Sequence, residues 1–114
     1  MPRLTRFNDG VLAVYRERER KTDFSAKRNA ATLDDLDFVA KLDYAEASRR
    51  QEDVEFAEQS GFRLSMKVRT RYLAPVRSKM KVVIDGYLYD IAYADKAGTE
   101  MFLYLEGVRE LEVA

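Results

Sequence analysis

The run from Phe62 to Tyr72 constrains this chain more than any other stretch. Phe62, Leu64, Met66, Val68, Thr70 and Tyr72 fall at every second position, with Arg63, Ser65, Lys67, Arg69 and Arg71 between them. A period of two sustained this long predicts a strand with one buried and one polar face. Pro75 ends or bends that strand, because proline has no N–H to give a central ladder.

The next segment predicts a hairpin. Met80 to Ile84 and Tyr87 to Tyr93 flank Asp85-Gly86, a pair suited to a two-residue type I′ turn in which both residues take positive φ. Tyr87, Tyr89, Ile91 and Tyr93 share one face of its second strand by alternation. Ala94 to Glu100 reads as a further turn around Gly98, and Met101 to Leu105 as the strand that returns from it. Gly107 is a bulge or a break before Val108 to Val113.

The first half is less regular. Val11 to Tyr15 is a strand, and Phe38, Ala40, Leu42 and Tyr44 alternate along another. Thr22 to Asp35 has no period and reads as a long loop, about residues 22–36. For Ala45 to Gln59 the Ala, Glu and Gln content favours a short helix stopped by Gly61, while Val54 and Phe56 alternating about Glu55 leave a strand open. Five or six mostly antiparallel strands with a long loop and one short helix predict an all-β domain, a small barrel or sandwich. At 114 residues the whole chain, 1–114, is one domain's worth.

Composition narrows the chemistry. There is no cysteine and no histidine, so thiol nucleophiles, thiolate metal sites and the commonest general base are absent. Enzyme function is not expected, and neither cofactor nor metal is. The carboxylates Glu46, Glu52, Asp53, Glu55 and Glu58 are the nearest approach to an acid–base set, and ordinary helical surface charge accounts for them. Asp34, Asp35 and Asp37 lack the glycine-containing loop of a calcium site. No apolar run is long enough to span a membrane, and Met1 to Leu4 does not open a signal peptide, so synthesis in the cytoplasm is expected.

The net charge is zero, but its distribution is uneven. From Gln59 to Ile84 there are 7 basic residues and no acid; from Asp85 to Ala114 there are 7 acids and 2 basic residues. A positive stretch adjoins a negative one.

The order of these elements resembles the phage head-tail adaptor family, also called head closure or head-tail connector proteins. The resemblance runs over roughly residues 10–112. It is carried by Phe38 to Tyr44, the charged Arg49 to Glu52 and the arginine–tyrosine strand end at Val68 to Tyr72. The Met80 to Ile91 hairpin and the strand Met101 to Leu105 complete it. Many members carry a tryptophan in the strand matching Phe38 to Tyr44, and this chain has none. The resemblance implies a small barrel with a long loop, located in the virion of a tailed phage or prophage and made in the bacterial host. It implies a homo-oligomeric ring that docks under the portal, closes the head or receives tail-completion proteins, and meets packaged DNA only in passing. A ring templated by the portal is compatible with a monomer in isolation.

A ring of identical subunits needs two different complementary patches. Arg63, Lys67, Arg69 and Arg71 on one side and Glu106, Glu110 and Glu112 on the other are the candidate subunit interface. The same two stretches can instead neutralise one another within a subunit. Lys27 and Arg28 in the long loop are candidates for portal or DNA contact. The alternative function is a small OB- or SH3-like barrel that stacks single-stranded nucleic acid on Tyr87, Tyr89 and Tyr93. Burial of Tyr89 and Tyr93 would argue for core packing instead.

Overall fold

A computed structural model of the chain describes residues 7–17 and 36–110. Six strands, β1 (Gly10–Glu17), β2 (Leu36–Ala47), β3 (Leu64–Arg71), β4 (Lys81–Ile84), β5 (Tyr87–Ala97) and β6 (Glu100–Glu110), close into one barrel in the order β1-β2-β3-β6-β5-β4. Every neighbouring pair is antiparallel, including the β1–β4 pair that closes the ring. A single helix, α1 (Gln51–Gln59), lies between β2 and β3. The barrel alternative is therefore the architecture, and closure removes the long open edges of a flat sheet.

Leu12, Val14, Ala40, Tyr44, Val68 and Leu103 are among the side chains that fill the interior. The segment 72–80 closes one end of the barrel. Val76 and Met80 from this segment join the same core, and Tyr72 N–H donates to the Thr99 carbonyl at 2.9 Å. Lys79 N–H donates to the Ile91 carbonyl, and Ile91 N–H donates to the Met80 carbonyl, both at 2.9 Å.

The β4–β5 turn takes the predicted form, with φ of 50° at Asp85 and 81° at Gly86. Gly107 is a bulge within β6: Asp90 pairs with Glu106 and Tyr89 with Val108, so Gly107 is the extra residue, at φ 59°. The ambiguous stretch 45–59 divides, β2 continuing to Ala47 and α1 starting at Gln51. α1 ends in a Schellman motif: Phe62 N–H donates to the Ala57 carbonyl at 2.9 Å and Gly61 N–H to the Glu58 carbonyl at 3.2 Å. The accompanying apolar contact is the edge-on pair Phe56–Phe62.

Four expectations are corrected. The predicted turn Ala94 to Glu100 shrinks to Gly98-Thr99, because β5 runs on to Ala97 and β6 begins at Glu100. Leu36 belongs to β2, so the loop expected at about 22–36 ends before it; residues 22–35 lie outside the described residues. In β3, the register slips between Leu64 and Met66. Met66, Val68 and Thr70 are therefore set toward the barrel, while Phe62 and Leu64 join a cluster with Ala57 and Tyr104 under α1. In β5, Ala92 is an extra residue between the pairs Ile91–Leu105 and Tyr93–Tyr104. Ile91 and Ala94 consequently pack on the core, and Tyr93 turns to the outer side. No helix among the described residues is long and apolar enough to cross a membrane.

Candidate assembly surfaces

The predicted basic face proves to be two kinds of surface. Lys67 alternates outward from β3, but α1 lies over it. Its Nζ donates to both oxygens of Asp53, at 3.2 and 3.1 Å, and both residues are buried. The ammonium also stands 5.0 Å from the Phe102 ring centre and 5.1 Å from that of Tyr104. Asp53 is fixed from three directions, since it accepts the Arg50 N–H at 2.9 Å and the Tyr104 hydroxyl at 3.3 Å as well. The Arg50 bond is half of a capping box and anchors the first turn of α1. Around this ion pair Phe56, Tyr93 and Tyr104 meet at ring-centre distances of 5.0 to 5.7 Å.

Two titrations record the environment. Burial alone would raise the Asp53 carboxyl, but the Arg50 N–H, the Lys67 ammonium and the Tyr104 hydroxyl outweigh it, and the net shift is downward. Burial, followed by the Asp53 charge and its hydrogen bond, pushes the Tyr104 hydroxyl up to about 12. The Lys67 side chain is thus committed within its own subunit.

Arg69 is engaged in the same way. It pairs with Glu100 across β3–β6 at 3.3 Å, and its guanidinium lies 5.1 Å from the Phe7 ring centre. Lys81 and Arg109 both reach Asp90. Part of the positive stretch therefore neutralises part of the negative one inside one barrel. Arg63 and Arg71 are exposed, Glu106 is half-buried and Glu110 is exposed. Leu64 pairs with Glu106, which puts Arg63 and Glu106 at the same rim. Lys27, Arg28 and Glu112 lie outside the described residues. The remaining acids of the 46–58 set are dispersed: Glu52, Glu55 and Glu58 are exposed on α1. Among the described residues no group is placed to share a metal ion.

Antiparallel pairing gives the barrel two distinct rims. β1 starts, β2 ends and the β4–β5 turn lies at one; β3 ends, β4 starts and the β5–β6 turn lies at the other. At the first rim stand Asp9, Glu46 and Asp85, all exposed. Asp9 Oδ2 accepts the Glu46 N–H at 2.6 Å, and Asp9 N–H donates to the Tyr44 carbonyl at 3.0 Å. Burial raises the Tyr44 hydroxyl, and the nearby charges of Asp85, Asp9 and Glu46 raise it further. Tyr89 is raised by burial and then by Glu46 and Asp85. The same carboxylates thus act on two tyrosines at the barrel mouth. Gly10 is needed there, because a Cβ at this position would stand 3.1 Å from the Tyr44 ring at a φ of 153°.

The second rim is basic. Arg71, Arg77 and Lys79 are exposed on the end of β3 and on the closing segment. Lys96 on β5 sits 4.6 Å from the centre of the Tyr72 ring. Among the described residues Arg71, Arg77 and Lys79 have no ion-pair partner. The sequence reading missed this pairing of rims. Asp85 in a turn and Glu46 two positions past Tyr44 are visible in the chain, but only the strand order brings them together.

The tyrosines divide as well. Tyr89 is half-buried against the core, while Tyr87 is 47% exposed and Tyr93 40% exposed. Tyr93 belongs to the aromatic cluster under α1, and Tyr87 lies at the acidic mouth. No family model matches this chain, and no curated protein matches it either.

Proposed function

We propose that this chain is a structural subunit of a tailed-phage or prophage head-tail connector, working by assembly and not by turnover. The observation that supports it most is the closed antiparallel barrel, in which a long β1–β2 hairpin is followed by a single helix and then by the β4–β5 and β5–β6 hairpins. A small barrel is the fold the resemblance implies. Subunits would associate around an axis and dock on the portal. Apolar burial would supply most of the affinity, while charge would set register. Arg63, Arg71, Glu106 and Glu110 stay within reach of a neighbouring subunit in this reading, whereas Lys67 serves its own fold.

The test is to look for a portal gene in the genome that carries this one and to mix the protein with that portal complex. Rings seated on the portal in negative-stain images are the expected result. Absence of rings, together with no co-sedimentation at any salt concentration, ends the proposal. The single-strand-binding alternative needs several aromatics on one accessible face. Tyr87 and Tyr93 lie in different neighbourhoods, which favours assembly over it. Fluorescence anisotropy with a labelled single-stranded oligonucleotide separates the two readings.

A further inference from the structure

The two rims differ in charge and stand at opposite ends of one barrel. Asp9, Glu46 and Asp85 crowd one mouth beside Tyr44 and Tyr89. Arg71, Arg77 and Lys79 occupy the other, exposed and without an ion-pair partner among the described residues. From this opposition we infer that the basic rim of one copy docks on the acidic mouth of a second copy, head to tail.

Complementarity and geometry both support a second copy as the occupant. Among the described residues the acidic mouth carries no cation on its β1–β4 side; Arg49, Arg50 and Arg63 flank α1, between β2 and β3. Among the described residues near the basic rim, Glu100 is committed to Arg69, Glu17 and Asp37 on the β1–β2 hairpin each have partners, and Asp95 acts on the Tyr104 hydroxyl. The closing segment is held to β5 and to the β5–β6 turn by backbone hydrogen bonds, so its cations are presented on an ordered surface. Tyr72 is 36% exposed there, and Tyr87 is exposed at the opposite mouth, so each rim also offers an aromatic surface. A net charge of zero disfavours long-range attraction to a polyanion but permits this end-to-end attraction. Such a contact is heterologous: it closes into a ring if the rotation per subunit closes, and otherwise continues as a filament. The inference extends the self-assembly part of the proposed function and does not depend on the portal.

Two double variants test it with the full chain. Arg71→Glu with Arg77→Glu disables the basic rim and leaves the mouth intact. Glu46→Gln with Asp85→Asn neutralises the mouth without adding a cation that could pair with the acidified rim, and leaves the basic rim intact; asparagine tolerates the positive φ of that turn. In sedimentation velocity at ~50 mM salt the wild-type chain associates in a concentration-dependent way, about tenfold more weakly at ~500 mM. Each variant alone is monomeric, and an equimolar mixture forms a heterodimer that grows no further, because only one competent rim of each kind remains. Circular dichroism confirms that both variants keep the barrel, and the heterodimer itself shows both are folded. A wild-type chain that stays monomeric up to ~1 mM at low salt overturns the inference, as does a folded mixture that does not pair. Oligonucleotide binding lost on Arg71→Glu with Arg77→Glu, in a chain that never self-associates, overturns it in favour of a nucleic-acid partner. Portal binding is scored separately, so a monomeric chain that still docks on the portal refutes the rim contact alone.

Discussion

Lys67 and Arg77 come from the same basic stretch of sequence, yet the barrel uses them in opposite ways. Lys67 is buried beneath α1, where Asp53 accepts from its ammonium at 3.1 Å and two aromatic rings flank it. Arg77 is exposed on the closing segment and has no ion-pair partner among the described residues. A buried pair that loses one member leaves an uncompensated charge, which costs far more than removing a solvated one. Charge in this molecule therefore acts on folding at one place and is free to act on association at another. A count of basic residues does not distinguish the two.

The largest expected effect tests the folding side. Lys67→Met keeps most of the side-chain volume but strands the Asp53 carboxylate, and it should lower stability by about 3 kcal/mol in chemical denaturation. Acid sensitivity should fall as well. The Asp53 carboxyl is lowered in the folded protein, so its contribution is present above the unfolded carboxylate pKa of about 4 and is lost as pH drops through the folded value. With Lys67 gone, that shift shrinks and the acid slope flattens. Sedimentation at low salt should not change for the folded fraction. A Lys67→Met chain of wild-type stability would mean that α1 does not depend on this ion pair.

Tyr104→Phe comes next, at about 1 kcal/mol near neutral pH for the lost hydrogen bond to Asp53. Its alkaline behaviour is more diagnostic. The hydroxyl is raised to about 12 in the folded protein, against about 10 in the unfolded chain. A raised group stabilises fully below its unfolded pKa, so stability should decline from pH 10 toward 12. The phenylalanine variant should lose that part of the decline. Thermal or denaturant midpoints collected across this range check it.

These two regions also mark what could be read from the chain alone. Asp85-Gly86 declares itself, because positive φ restricts residue choice so strongly that the turn is visible locally, whereas Gly107 reads as a bulge or a break until the β5–β6 register decides it. Alternation makes five or six strands legible for a similarly local reason, but leaves barrel and sandwich open; the β1–β4 pairing that closes the ring is not a local signal. Tyr93 was assigned to the wrong face because one extra residue, Ala92, flips everything after it, and no composition signal marks that bulge. Leu64 was misassigned by the slip beside Ser65 in the same way. Lys67 reads as part of a subunit interface because period two shows which way a side chain points and nothing of what packs there. The acidic mouth was invisible for a related reason, since Asp9, Glu46 and Asp85 are far apart in sequence and meet only through strand order.

The intermediate case is Arg69→Gln. Arg69 pairs with Glu100 at 3.3 Å, with both side chains partly exposed, and also lies near the Phe7 ring. Solvent screening reduces the worth of such a pair, so a loss of about 0.5–1 kcal/mol is expected, shrinking as salt rises. A loss as large as that of Lys67→Met would place Arg69 with the buried charges and move the boundary between the two classes.

The smallest stability effect is expected where association is most affected. Arg77→Ser removes a solvated cation from a rigidly held segment whose core anchors, Val76 and Met80, remain. Nothing buried is left unpaired, so stability should stay within about 0.5 kcal/mol of wild type. Self-association at low salt should nevertheless weaken by several-fold, and the salt dependence of what remains should become shallower. Denaturation and sedimentation on the same sample separate these quantities. If Arg77→Ser destabilises the barrel by more than 1 kcal/mol, the basic rim belongs with Lys67 as a folding element. If neither quantity moves, the rim is ordinary solvated surface and the contact must be sought at Arg63, Glu106 and Glu110.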